Sequence, residues 1–294
     1  MPQTADLRAT RIDAILAHPR FAEARRVQIE GYLALYSGDP ALNKLLVEGA
    51  RHVIFTFVVC LAASQRDDDP ATWLTLGKLQ DVVAAYQVGS PGLVEALVTR
   101  MLDRGLLTST PAPTDRRKRI LAPTEALLMH DRDLLAVQAA PCAIIANAPG
   151  LTLVMARDPS FQQAQRIASL AAFADAMVLL GANPQMMALF VARDSGLLAL
   201  YMLLSSALAS PSGNVSTVTY QQIADRFGIS RTHVRDLVTD AEAAGLMRAT
   251  DEAGGANVEM LPPLWPVVDR WIAGCMELFA ECCERAQAGI AVRA

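Results

Sequence analysis

The sequence predicts a mainly α-helical chain with small β-hairpins, built as two tandem copies of one unit joined by packed helices. Three observations predict it. Blocks of similar sequence recur at a constant offset of 140 residues. Capped helical stripes appear at matching places in both copies. Each stripe ends at a glycine that leads into short segments suited to a hairpin.

The repeat comes first, because a missed repeat misreads the fold. "HPRFAEARRV" (18–27) matches "DPSFQQAQRI" (158–167), with Pro19, Phe21, Ala24 and Arg26 recurring as Pro159, Phe161, Ala164 and Arg166. "VVAAYQVGSPGLVEALVTRMLDRGLL" (82–107) matches "QIADRFGISRTHVRDLVTDAEAAGLM" (222–247). Leu121 and Pro123 then recur as Leu261 and Pro263. The copies span about 18–140 and 158–289, which divides the chain into 1–145 and 146–294.

In the second copy, "TYQQIADRFG" (219–228) starts at a threonine cap, carries Ile223, Ala224 and Phe227, and stops at Gly228. Ser230 caps the next helix, 231–244, whose stripe is Val234, Leu237, Val238 and Ala241. Two helices joined by a short glycine-bearing turn, over about 219–244, form a helix-turn-helix. "LMRATDEAGGANVEML" (246–261) reads as strand, glycine-rich turn and strand, which makes a wing.

The first copy repeats the plan. Its helix-turn-helix covers about 78–104, and "LGKLQDVVAAYQV" (76–88) is the first helix. Ser90 caps the second, with Pro91 at its favoured first position and a stripe of Val94, Leu97, Val98 and Met101. The wing spans about 106–122, with "LLTST" and "RILAP" bracketing the tip.

Outside these units, 20–36 presents Phe21, Ala24, Ile29 and Tyr32. The C-terminal segment, about 265–289, has Val268, Trp271, Ile272, Cys275, Leu278, Phe279 and Cys282 at helical spacing. Both are expected to build a core shared by the two halves. "VIFTFVVCLAAS" (53–64) and "GLLALYMLLSSALAS" (196–210) read as helices buried all round. The uncharged run 134–156 is interrupted by Pro141, Pro149 and Gly150, so it reads as a helix end plus a buried connector rather than a span.

"SPGLVEALVTRMLDRGLLTSTPAPTDRRKRILAPTEAL" (90–127) resembles the recognition helix and wing of MarR-type transcription regulators. The likeness rests on "RGL", on the Asp115-x-Arg117 element and on "LAPTE"; it covers some 60–70 residues of the first copy and the second only as a generic winged helix. It implies a bacterial, cytoplasmic regulator of double-stranded DNA, with a possible small-molecule effector. Family members are dimers joined by their terminal helices. A chain holding both units is expected to be a monomeric pseudo-dimer, or else a homodimer.

The candidate contacts differ between the copies. In the second, Arg231, Thr232, His233, Arg235 and Thr239 lie on or beside the face opposite the buried stripe. Arg235 suits a guanine edge, the threonines suit a thymine methyl or phosphate, and Ser230 marks a helix start that favours phosphate. Arg226 on the preceding helix suits the DNA backbone. In the first copy the equivalent helix offers Ser90, Glu95 and Thr99, while its wing tip carries Arg116, Arg117, Lys118 and Arg119. The second wing has Asp251, Glu252 and a Gly-Gly tip.

Charge sets the alternatives. The chain has 26 Lys+Arg against 30 Asp+Glu; residues 1–145 hold 16 of each, and the remainder holds 10 and 14. An acidic tandem winged helix also suits a protein-interaction module with little or no DNA binding. A replication initiator would be more basic. No enzyme motif stands out, no cofactor is implied, and the five cysteines lack metal or disulfide spacing. They are expected to be buried thiols, with a redox-sensing Cys282/Cys283 pair as the alternative.

Overall fold

The computed structural model describes residues 2–38, 40–46, 49–113, 115–146, 149–252 and 255–293. It is mainly helical, with two small antiparallel sheets. The order begins α1 (Pro2–Ala17), α2 (Phe21–Leu35), α3 (Pro40–Leu46), α4 (Gly49–Ala63), α5 (Leu76–Ala85) and α6 (Pro91–Asp103). Strands β1 (Leu107–Pro111) and β2 (Arg119–Pro123) follow, then α7 (Glu125–Ile145), α8 (Pro149–Met155), α9 (Pro159–Ala171), α10 (Phe173–Gly181) and α11 (Pro184–Met186). A π turn at Met187–Val191 precedes α12 (Gly196–Ala209) and β3 (Val215–Ser216). The chain ends with α13 (Tyr220–Phe227), α14 (Arg231–Ala243), β4 (Met247–Glu252), β5 (Gly255–Met260) and α15 (Leu264–Arg293).

Two compact units form, and neither is a contiguous half of the chain. The β3–β5 unit comprises Met1–Lys44, Val137–Ala148 and Asp175–Ala280. The β1–β2 unit comprises Leu45–Ala136, Pro149–Ala174 and Glu281–Ala294. A division at 145/146 follows the repeat, whereas each unit borrows helices from the other half.

In the β1–β2 unit, α4 buries Ile54, Phe55, Phe57, Val58, Val59, Cys60 and Leu61, the all-round burial its composition predicts. It packs on α9, which comes from the second half of the sequence. Phe57 and Tyr86 both meet Phe173, with ring centroids 4.2 and 4.8 Å apart. One ion pair locks the borrowed helix. Asp131 on α7 is fully buried and accepts from Arg166 Nε at 3.1 Å and from Gln162 Nε2 at 2.7 Å. Gln162 Oε1 in turn accepts from Arg132 Nη1 at 2.9 Å. Burial opposes the Arg166 charge, but Asp131 more than offsets that and raises its pKa.

The β3–β5 unit is the reciprocal case. There α2, from the first half, packs on α12. Gln28 Nε2 donates to the buried Tyr201 hydroxyl at 3.4 Å. Arg25 Nη1 meets both Asp269 carboxylate oxygens on α15, at 2.8 and 3.1 Å, and its guanidinium lies 4.7 Å from the Trp265 ring centroid. So the first long helix of each repeat is pinned to the other repeat by an arginine on an aspartate. The expected apolar face of α15 is present: Val268, Trp271, Ile272, Phe279 and Cys282 are buried, while Cys275 and Leu278 are half-buried.

The expected elements differ in a few details. The helix predicted over 76–88 stops at Ala85, because Gln87 turns left-handed at φ +54°. β3, not expected, adds a third strand by pairing with β5. The uncharged run is the end of α7 and then α8; residues 147–148 of the proposed connector lie outside the described residues. Among the described residues, no single helix is long and apolar enough to cross a membrane, and no group of His, Cys, Asp or Glu is suited to a metal ion.

Burial also lowers the pKa of two histidines, His52 on α4 and His130 on α7. His52 Nδ1 donates to Leu46 O at 3.3 Å, and desolvation pushes its pKa from 6.5 down to about 4. His130, edge-on to Phe55 at 5.9 Å, is lowered by the same cause. The unfolded chain therefore takes up protons that the folded one refuses. The contribution of His52 to stability is full above pH 6.5 and is lost progressively as pH drops to about 4. Denaturant unfolding at stepped pH checks this: His52→Leu flattens that part of the profile relative to the parent chain.

Candidate nucleic-acid interface

Each unit contains two short helices and a hairpin whose local chemistry is the same. Ser90 Oγ accepts from Leu93 N at 3.2 Å, and Ser230 Oγ accepts from His233 N at 3.0 Å. Both hydroxyls are therefore occupied as helix caps. Thr75 caps α5, and Thr219 caps α13 within a reciprocal capping box with Gln222. α6 and α14 end alike. Gly105 and Gly245 take φ +66° and +70°, which admits glycine readily, and Leu106 N and Leu246 N turn back onto Met101 O and Ala241 O. Across 91–110 and 231–250, burial class agrees at every position except the pair 102 and 242. Apart from that pair, residues 140 apart are buried or exposed alike over these twenty positions.

The exposed faces carry different chemistry. On α14, Val234, Leu237, Val238 and Ala241 are buried, leaving Arg231, Thr232, Arg235, Asp236 and Thr239 exposed along the other side. Arg235 meets Asp236 only at 3.3 Å, with both side chains more than half exposed, so this pair contributes little and leaves the guanidinium accessible. On α6 the same positions are Pro91, Gly92, Glu95, Ala96 and Thr99, with Arg100 at the end.

Arg226 and His233, both expected contacts, are otherwise engaged. Arg226 Nη2 donates to Leu33 O at 2.7 Å, tying α13 to the end of α2, and its guanidinium stacks 5.6 Å from the Phe227 ring. His233 Nε2 lies 3.0 Å from Asp194 O, and Arg193 pairs with Asp240 at 2.6 Å. These contacts anchor α14 against the turn before α12. Sequence spacing identified both side chains but not this work, because their partners lie 193 and 39 residues away.

The hairpins are reversed in charge. β1 and β2 pair from Leu107↔Pro123 to Pro111↔Arg119. Asp115 shapes the tip: its carboxylate accepts from Arg117 N at 3.0 Å and its carbonyl from Lys118 N at 3.0 Å. Arg119 folds back onto Ser109, donating to Oγ at 3.0 Å and to the carbonyl at 2.6 Å. Arg116, Arg117 and Lys118 are exposed, and among the described residues no acidic side chain pairs with them. Of the four adjacent cations, three project and one braces the hairpin. In the other hairpin, Arg248 pairs with Glu259 across the strands at 3.1 Å. Ala253 and Gly254, which include part of the expected Gly-Gly tip, lie outside the described residues.

Burial pushes the thiols of Cys60, Cys275 and Cys283 up to about 12, and that of Cys282 upward, which disfavours the reactive thiolate. Compared with family models, curated proteins and solved structures, the chain matches none.

Proposed function

We propose that the protein is a DNA-binding transcription regulator that uses two non-equivalent winged helix-turn-helix units in a single-chain pseudo-dimer. The observation that carries this reading is the accessible face of α14, where Arg231, Thr232, Arg235 and Thr239 lie opposite a buried stripe on a helix capped at both ends. Such a helix fits the major groove, and arginine is suited to a guanine edge. The Arg116–Lys118 tip supplies complementary chemistry, since clustered cations bind phosphate without reading sequence. One copy thus reads and the other grips, on a site that need not be palindromic.

The test is a mobility shift against genomic fragments at several salt concentrations. Arg235→Ala is expected to cost about 1–3 kcal/mol on the best site and to relax preference there. Arg117→Ala is expected to weaken all sites alike and to lower the salt slope by about one. Absence of sequence-selective binding at low salt would sink the reading.

One observation favours a second reading, a tandem winged-helix module that docks proteins. The α6 face exposes Glu95 where α14 exposes Arg235, in a chain of pI about 5.6. A stoichiometric complex with another protein, formed without DNA and by a chain that retains no selective DNA, would select it.

A further inference from the structure

The β3–β5 unit contains a cleft of about 240 Å³ that the DNA reading does not use. It is lined by α1, by the end of α10 with the residues after it, and by α15. Its inner wall is apolar: Ile12 and Trp271 are buried there, and Leu179 stands over Gly274. Val178 at the edge is 77% exposed, the most exposed large apolar side chain among those described.

Two arginines of the lining, Arg8 and Arg270, each have an aspartate beside them, just outside the lining itself. Arg8 meets Asp175 at 3.5 Å and Arg270 meets Asp13 at 3.4 Å. The Arg270–Asp13 contact is long for a charge-assisted bond, which closes to about 2.7–2.9 Å. The Arg270–Asp13 pair is also more than half exposed on both sides, so little is lost by rearranging it.

Size and charge together restrict the ligand. The cleft is smaller than the roughly 300–1,000 Å³ of drug-sized sites. A simple carboxylate would be drawn to two guanidiniums but repelled by two aspartates, and a simple amine would meet the reverse. A molecule bearing both charges on one carbon satisfies these pairs, and an apolar side chain fills the wall. We propose that this cleft binds a free apolar α-amino acid, with its carboxylate toward Arg8 and Arg270, its ammonium toward Asp13 and Asp175, and its side chain against Trp271 and Gly274.

Calorimetric titration of the full chain tests this with L-leucine and L-phenylalanine, and with 4-methylpentanoate and isopentylamine as single-charge controls. At least one amino acid is expected to saturate below about 10 mM, with both controls at least about tenfold weaker. Gly274→Leu should abolish binding: it fills the cleft, and a Cβ there meets only Leu179, at 3.8 Å. Arg270→Met, at a side chain 55% exposed, should weaken binding about tenfold while leaving the melting temperature near that of the parent. The proposal is overturned if neither amino acid binds, if a single-charge control binds as well, or if a folded Gly274→Leu chain binds unchanged. None of these outcomes depends on whether the protein binds DNA.

Discussion

Arg166→Met is expected to destabilise the protein by about 3–5 kcal/mol, because it strands a buried carboxylate. Asp131 is 0% exposed and Arg166 5%. Gln162 remains as a neutral donor, but it cannot balance the charge. Against a typical total of about 5–15 kcal/mol, that loss is a large share. Adding Asp131→Leu should recover part of it, since the double variant buries no unpaired charge. Denaturant unfolding of the two single variants and the double variant measures the coupling. A single-variant cost under about 1 kcal/mol would mean that the pair is not sealed in the folded protein.

The second large effect concerns the halves. Residues 1–145 and 146–294, made separately, are expected to fail to fold. The first half alone lacks α9 and Phe173, so Asp131 loses its cation and Phe57 its ring partner. The second alone lacks α2, so Tyr201 loses Gln28, and Asp269 loses Arg25. Several large side chains are uncovered in each case, at about 1.5–3 kcal/mol apiece, which exceeds what a small domain can spare. Co-production should restore a one-to-one complex with native near-ultraviolet dichroism. Cooperative unfolding of either half alone would contradict the exchange of helices.

Much of this was legible in the sequence, for local reasons. Ser90, Ser230 and Thr219 announce helix starts, and Gly105, Gly228 and Gly245 announce ends, because capping chemistry acts within four residues. The stripes of α6 and α14 fixed which residues face outward, so the exposed Arg235 and Thr232 were found by period alone. What escaped depends on long-range packing. "HPRFAEARRV" and "DPSFQQAQRI" align Arg26 with Arg166, yet Arg26 is exposed and Arg166 buried; Arg25 fills the comparable ion-pair role. Nothing within a helical period says which of two adjacent arginines will meet an aspartate on another helix. The duties of Arg226 and His233 were hidden for the same reason.

The exchanged helices also impose an order on biosynthesis. The β1–β2 hairpin leaves the ribosome early, but its unit draws on Pro149–Ala174 and Glu281–Ala294. A nascent chain stalled before α9 therefore displays the cationic tip on an unfinished scaffold. Synthesis through α15 closes that unit, so the hairpin waits on residues made long after it. Prematurely ended chains should be cleared as unfolded protein rather than compete with the finished product.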